Sequence, residues 1–210
     1  QEIFKVQLRA ILRSSAYGNV RILFPMISCL EELREAKVIL ENTKDDLRQR
    51  KIPFDEGVLA GIMVEVPSTA VLSDHFAKES DFFSIGTNDL IQYTVAVDRG
   101  NDKLAPLYSS YHPAVLRLVK TVIDNGKQAG IHVGMCGESA GDPKLIPILI
   151  GMGLTEFSMS PPSILHARWI LRNLRKSDLE EAARHALSLG TAAEVEAYCG
   201  TLLQSLDLCR

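Results

Sequence analysis

Cysteine and aromatic residues are scarce in this 210-residue sequence: there are four cysteines and a single Trp, and aromatics make up 6% of the chain. Cys29, Cys136, Cys199 and Cys209 show no Cys-x-x-Cys spacing and no group of histidines near them. That excludes a disulfide scaffold and a zinc site, and a reducing cytoplasm is the expected setting. There is no run of lysine or arginine, and the formal charge is −3. Nucleic acid and anionic membrane surfaces are thereby excluded as main partners, whereas a single anionic small molecule is not. No apolar stretch approaches the roughly 18 residues of a membrane span. The nearest, 145–154, is interrupted by Pro147, Gly151 and Gly153, so no membrane insertion is expected. Glu2-Ile3-Phe4-Lys5 opens an amphipathic helix rather than a secretory leader.

What is present is an α/β pattern with 46% apolar residues. Short apolar runs at 21–26 (RILFPM), 59–66 (LAGIMVEV), 81–86 (DFFSIG), 131–136 (IHVGMC) and 156–159 (EFSM) read as strands. Several are nearly all apolar, as in parallel strands covered on both faces. Helical periodicity fills the gaps. Residues 31–50 are charged and amphipathic, and 115–129 place Leu116, Val119 and Ile123 on one stripe before the cap Gly130. Ser68, after Pro67, starts a helix through Phe76, and 177–206 read as two trailing helices parted near Gly190 and Thr191. Trp169 reads as core, and Pro161-Pro162 marks the exit from the last strand.

Strand-then-helix units in series imply a parallel sheet. A doubly wound nucleotide-binding sheet would carry a glycine-rich loop after an early strand. Gly134, Gly137 and Gly141 have the wrong spacing for one, and no Walker-type Gly-Lys-Ser/Thr occurs. Two architectures fit the pattern: a complete five-stranded α/β sheet, or a partial (β/α)₈ TIM barrel with about five of its eight β/α units and two trailing helices. In the second case residues 1–174 form the barrel part and 175–210 the helical tail of the same domain, and the open edge strands need cover.

Chemistry-bearing residues fall at strand ends. Glu65 follows an apolar run, and an unpaired charge is costly in a core, so it is expected to emerge at the catalytic rim. Asp89 follows the next run, through Gly86, Thr87 and Asn88. Two neighbouring carboxylates and an amide suit a hard divalent cation such as Mg²⁺. The alternative has Asp89 capping a helix and Glu65 in a surface ion pair. Gly86 would let a ligand approach the backbone closely, and Asn88 would donate to an anionic oxygen. Arg99 offers a fork for a phosphoryl group, against the alternative of pairing with Asp98. Cys136, between glycines at a strand end, suits a neutral thiol proton donor. His132 lies roughly 13 Å back along the strand, too far to activate a nucleophile. The other reading of Cys136 is a buried small apolar residue. The remaining histidines, His75, His112, His166 and His185, read as surface or packing residues, and Cys29, Cys199 and Cys209 receive no role.

Segments 61–67 (GIMVEVP), 82–101 (FFSIGTNDLIQYTVAVDRGN) and 134–142 (GMCGESAGD) closely resemble the enzyme I family of phosphoenolpyruvate–protein phosphotransferases, and 151–160 (GMGLTEFSMS) adds a fourth match. Pyruvate phosphate dikinase and phosphoenolpyruvate synthase share part of these motifs. The run Val97-Asp98-Arg99-Gly100-Asn101 and the ending Phe157-Ser158-Met159-Ser160 are more similar to enzyme I. The resemblance implies Glu65 and Asp89 as Mg²⁺ ligands, and Asn88 with Asp89 as the phosphoenolpyruvate-binding pair alongside Gly86 and Thr87. It also implies Arg99 on the substrate phosphate and Cys136 as the proton donor that yields pyruvate. Transfer to a histidine of another domain and then to HPr, and a homodimer built by the barrel, are implied as well. No segment matches the family's phosphorylatable histidine, its HPr-binding helices or the arginines of its early barrel strands. The chain is therefore expected to be incomplete and a poor catalyst alone. Two other identities stay open: a piece of a dikinase or synthase, and a dimerisation and ligand-binding module without turnover.

Overall fold

The computed structural model describes residues 2–206; Cys209 lies outside them. In chain order the elements are α1 (Glu2–Ser15), β1 (Arg21–Phe24), α2 (Leu30–Gln49), β2 (Leu59–Val64), α3 (Pro67–Val71), α4 (Ser73–Phe76), β3 (Phe82–Gly86) and α5 (Thr87–Val95). They continue with α6 (Pro113–Ala129), β4 (His132–Cys136), α7 (Ile146–Met152), β5 (Glu156–Ser158), α8 (Pro161–Arg172), α9 (Lys176–Ser188) and α10 (Ala192–Ser205). The strands are all parallel and lie in sequence order, β1-β2-β3-β4-β5. The sheet does not close, and among the described residues β1 and β5 have one neighbour each. This is part of a (β/α)₈ barrel, with all five strand runs where the sequence places them.

Local chemistry explains the helix boundaries. Leu33, Leu40 and Leu47 recur at helical spacing along α2 and are buried, and Glu31 and Glu32 occupy the favourable end of its dipole. His112 caps α6 by accepting the Ala114 amide at 3.2 Å, and Pro113 occupies the first turn, so the helix starts before the expected Val115. Gly130 closes it with a left-handed φ of 74°, which a side chain would resist. The helix expected over 68–76 is instead two short ones, α3 and α4, parted at Leu72. Thr191 and Glu194 form a reciprocal capping box that starts α10 at the expected break. Among the helices without a sequence expectation, α8 begins at Pro161, and Trp169 on it is half-buried rather than core.

The strand faces correct one expectation. Ile22, Phe24, Ala60, Ile62, Val64, Phe83, Ile85, Val133 and Met135 alternate onto one face and are buried under the helices. The opposite face carries Met63, Ser84, Gly86, Gly134, Cys136 and Ser158. It is not covered by helices: several of its residues are half-buried, and Leu59, His132, Glu156 and Ser158 are exposed. The strands thus read as apolar because one face is uniformly so, while glycine, serine and cysteine interrupt the other. That second face and its C-terminal rim hold the chemistry.

Candidate active site

Glu65 is the residue immediately after β2, and Asp89 lies in the first turn of α5, immediately after β3. Both therefore stand at the C-terminal rim of adjacent parallel strands. At the rim Glu65 is nevertheless only 3% exposed, so its position there does not bring it into solvent. Its Oε1 accepts the Met26 amide at 2.7 Å, and Met26 adopts a left-handed φ of 56° after β1. A Cβ built on Gly86 would sit 2.8 Å from Glu65 Oε2 and 2.9 Å from Met63 Sδ. Gly86 thus makes room for the carboxylate, a different task from ligand approach. Burial pushes the Glu65 carboxyl above its usual pKa; the Met26 N–H opposes that shift, and the negative charge of Asp89 adds to it. No cation contributes, so the surface ion pair is excluded. The two acids are electrostatic neighbours with no ion-pair partner among the described residues.

The donor set fits a hard divalent cation. Among the described residues no three His, Cys, Asp or Glu side chains gather as a metal cage. A Mg²⁺ ion, however, typically takes one or two carboxylates and completes its shell with water and phosphate. Glu65 Oε2 and the Asp89 carboxylate meet that requirement, and Asp89 is further favoured by the positive end of α5.

Asn88 and the loop after β4 are stitched together. Asn88 Oδ1 accepts the Glu138 amide at 3.3 Å, which leaves its NH₂ group as a donor. Thr87 Oγ1 donates to the Cys136 carbonyl at 3.1 Å. Gly137 has a φ of 106°, and a Cβ there would collide with Thr87 Oγ1, so glycine is required for the two loops to approach. Cys136 ends β4, is half-buried, and accepts the Ser84 hydroxyl at 3.6 Å. It opens onto a cavity of about 500 Å³ whose walls include Asn88, Glu138, Asp142, Ser158 and Ser163. His132 stands at the far end of β4 and pairs with Glu156 at 2.7 Å, so it does not activate the thiol. Glu65, Asp89 and Arg99 do not line this cavity; Asn88 lines it and is the residue before Asp89.

Arg99 is exposed on the loop after α5, its backbone N–H bonded to Gln92 Oε1 at 3.2 Å. Asp98 accepts the Gly100 amide at 2.8 Å. The Asp98–Arg99 pair considered from the sequence does not form within 4 Å; instead the guanidinium lies beside the Tyr108 hydroxyl. Burial raises the Tyr108 pKa, with the Glu138 charge adding, Arg99 opposing and Asp89 adding.

Several residues of this rim had no expectation from the sequence. Tyr108 donates to the Asn88 carbonyl at 3.1 Å, and Tyr111 donates to Asp142 Oδ2 at 2.5 Å. Ser139 and Ser110 are joined at 2.9 Å. The segment 108–111 therefore ties the start of α5 to the loop bearing Cys136. Asp142 also accepts the Lys144 amide at 2.9 Å, and Lys144 pairs with Glu196 of α10 at 2.9 Å, so a trailing helix backs the loop. Ser139 and Asp142 both fall in the GESAGD motif, whose family likeness was their one sequence signal. Cys199, close by on α10, is wholly buried, and its thiol is pushed up to about 12 by burial and the Asp142 charge. It is inert at neutral pH. Cys29 precedes α2 and is half-buried.

Residues 1–176 match the model of the family described as PEP-utilising enzyme, PEP-binding domain. The phosphoenolpyruvate-protein phosphotransferase of Geobacillus stearothermophilus is 54% identical over 198 residues, covering 94% of this chain and 34% of the relative. That of Bacillus subtilis (strain 168) is 53% identical over 198 residues, covering 94% and 35%. The chain spans about a third of the length of the curated relatives it matches. In three dimensions it resembles a citrate lyase from Burkholderia xenovorans LB400, with a TM-score of 0.60, 17% identity, and coverage of 98% of this chain and 69% of that one. At that identity the likeness concerns the fold alone. No helix among the described residues is long and apolar enough to cross a membrane.

Proposed function

We infer the function from a premise of kinship: this chain belongs to the PEP-utilising enzyme family, through its PEP-binding domain. The chain supplies part of the phosphoenolpyruvate site of a phosphoenolpyruvate–protein phosphotransferase. In that reaction the phosphoryl group passes to an enzyme histidine and then to HPr, and pyruvate is released for the cytoplasmic step of sugar uptake. Residues 1–174 carry the barrel part, 175–210 are its helical tail, and the assembled enzyme is a homodimer.

Each residue has a task that follows from its setting. Glu65 and Asp89, neighbours with no ion-pair partner among the described residues, hold Mg²⁺. When bound there, the ion supplies positive charge for the substrate's phosphate and for the oxygen of the enolate product. Asn88 offers its NH₂ group to a substrate oxygen, with Thr87 tied to the Cys136 carbonyl and Gly86 leaving room for the neighbouring carboxylate at the same substrate-binding turn. Arg99, an exposed permanent cation, takes the phosphate. Cys136 holds its proton at the cavity wall and gives it to the methylene carbon of the enolate.

The observation that carries this reading is the pair of acids, one of them almost fully buried, set side by side with no ion-pair partner among the described residues. Calorimetric titration with phosphoenolpyruvate in the presence and absence of Mg²⁺ tests it. Binding that requires the metal supports the reading, and equal binding in EDTA contradicts it.

A further inference from the structure

We propose that Ser84 is a positioning residue for the Cys136 thiol and the donor that holds the thiolate once the proton has left. This rests on the reading of Cys136 as proton donor. The register places Ser84 opposite Gly134 and Gly86 opposite Cys136, so the four residues form a rectangle on the uncovered face of β3 and β4. Serine and cysteine occupy one diagonal, and glycines occupy the other. With no side chain at either glycine, the hydroxyl and the sulfur reach each other across the sheet, 3.6 Å apart.

Ser84 lies on the uncovered face, away from the buried Phe83 and Ile85, where it is half-buried beside the thiol. Its side chain makes no other hydrogen bond among the described residues, so the sulfur is its partner. His132 is engaged at the far end of the strand, which leaves Ser84 as the donor beside the thiol.

The chemistry balances around this contact. As the enolate is protonated, the S–H bond breaks, a C–H bond forms at the methylene carbon from the enolate electron pair, and the C–O bond becomes a carbonyl. The S–H pair stays on sulfur as a thiolate, which accepts the Ser84 O–H. Solvent water then returns the proton and leaves as hydroxide. A charged acceptor gains more from a hydroxyl than a neutral thiol does, so the contact strengthens as the proton leaves.

Iodoacetamide alkylation of the 210-residue chain at one fixed pH, resolved by peptide mass spectrometry, tests this without substrate or turnover. Loss of one hydrogen bond to a charged acceptor lowers the thiolate population about tenfold or more. The stronger nucleophilicity of the remaining thiolate recovers about half of that on a logarithmic scale, leaving a net slowing of about threefold. Ser84→Ala is expected to slow Cys136 alkylation by about that factor. Cys29, which lies outside this site, serves as control in the same sample and should not change. Ser84→Thr, which keeps the hydroxyl, should restore the Cys136 rate. Unchanged or faster alkylation in Ser84→Ala overturns the proposal, as does an equal change at Cys29 or a failure of threonine to restore. Because no phosphoenolpyruvate is involved, this result is independent of whether Cys136→Ala blocks pyruvate formation, which is the separate test of the donor role.

Discussion

The backbone amide of Met26, two residues past β1, donates to Glu65 Oε1, immediately past β2, at 2.7 Å. One oxygen of a buried carboxylate is thereby fixed by the neighbouring strand's loop, and the other remains for a ligand.

Glu65→Gln tests the cost of that arrangement. Because the folded-state pKa is raised, the group's contribution is fully present below its unfolded value and is lost as pH rises through the folded value. The metal-free chain should therefore lose stability as pH rises above the usual carboxylate range and through the raised value. Glutamine keeps the acceptor for Met26 but carries no charge, so the variant should unfold at higher denaturant near neutral pH and show a flatter pH dependence. Urea unfolding in EDTA across pH checks this.

Gly86→Ala acts on the same carboxylate sterically. The new methyl would meet Glu65 Oε2 at 2.8 Å and Met63 Sδ at 2.9 Å. Overpacking of this kind costs about 1–3 kcal/mol. Calorimetric melting should show the loss, and Mg²⁺-dependent phosphoenolpyruvate binding should weaken with it.

Tyr111→Phe removes the hydroxyl that donates to Asp142 at 2.5 Å. A hydrogen bond to a charged group is worth about 1.5–3 kcal/mol, and urea unfolding should register a loss of that order. In the wild-type chain burial and the hydrogen bond to Asp142 drive the Tyr111 pKa far upward. The bond is fully present below the usual tyrosine pKa and fails only as pH passes the raised value. Ultraviolet titration of tyrosinate should accordingly show Tyr111 silent near pH 10, where ordinary tyrosines ionise.

Cys136→Ala, introduced into a phosphotransferase carrying this domain, should slow enolate protonation by about 10²–10⁴-fold while sparing phosphoryl transfer to the histidine. Single-turnover measurement of pyruvate appearance against phosphohistidine formation separates the two steps.

The sequence exposed the strands and their terminal carboxylates because apolar runs end abruptly in Glu65 and Gly86-Thr87-Asn88-Asp89, a pattern that local order alone creates. It did not expose the uncovered face of the sheet. Ser84 and Gly134 look like minor interruptions until the register sets them beside Cys136 and Gly86. Nor did it expose Tyr108, Tyr111 and Asp142, ordinary residue types whose partners lie 20 and 31 positions apart along the chain. Burial of Glu65 went unforeseen for a related reason. The amide that makes it tolerable belongs to Met26, 39 positions earlier, and no local signal records that approach.

The joint hold of Glu65 and Asp89 on one cation is tested most directly with Mn²⁺ as a paramagnetic stand-in for Mg²⁺, counting bound ion by electron paramagnetic resonance with phosphoenolpyruvate present. Removing either unit charge from beside a divalent ion forfeits a few kcal/mol, at least about a tenfold loss of affinity. One ion per wild-type chain is expected, with Glu65→Gln and Asp89→Asn each abolishing or greatly weakening it. Retention of wild-type affinity in either single variant would contradict a shared site.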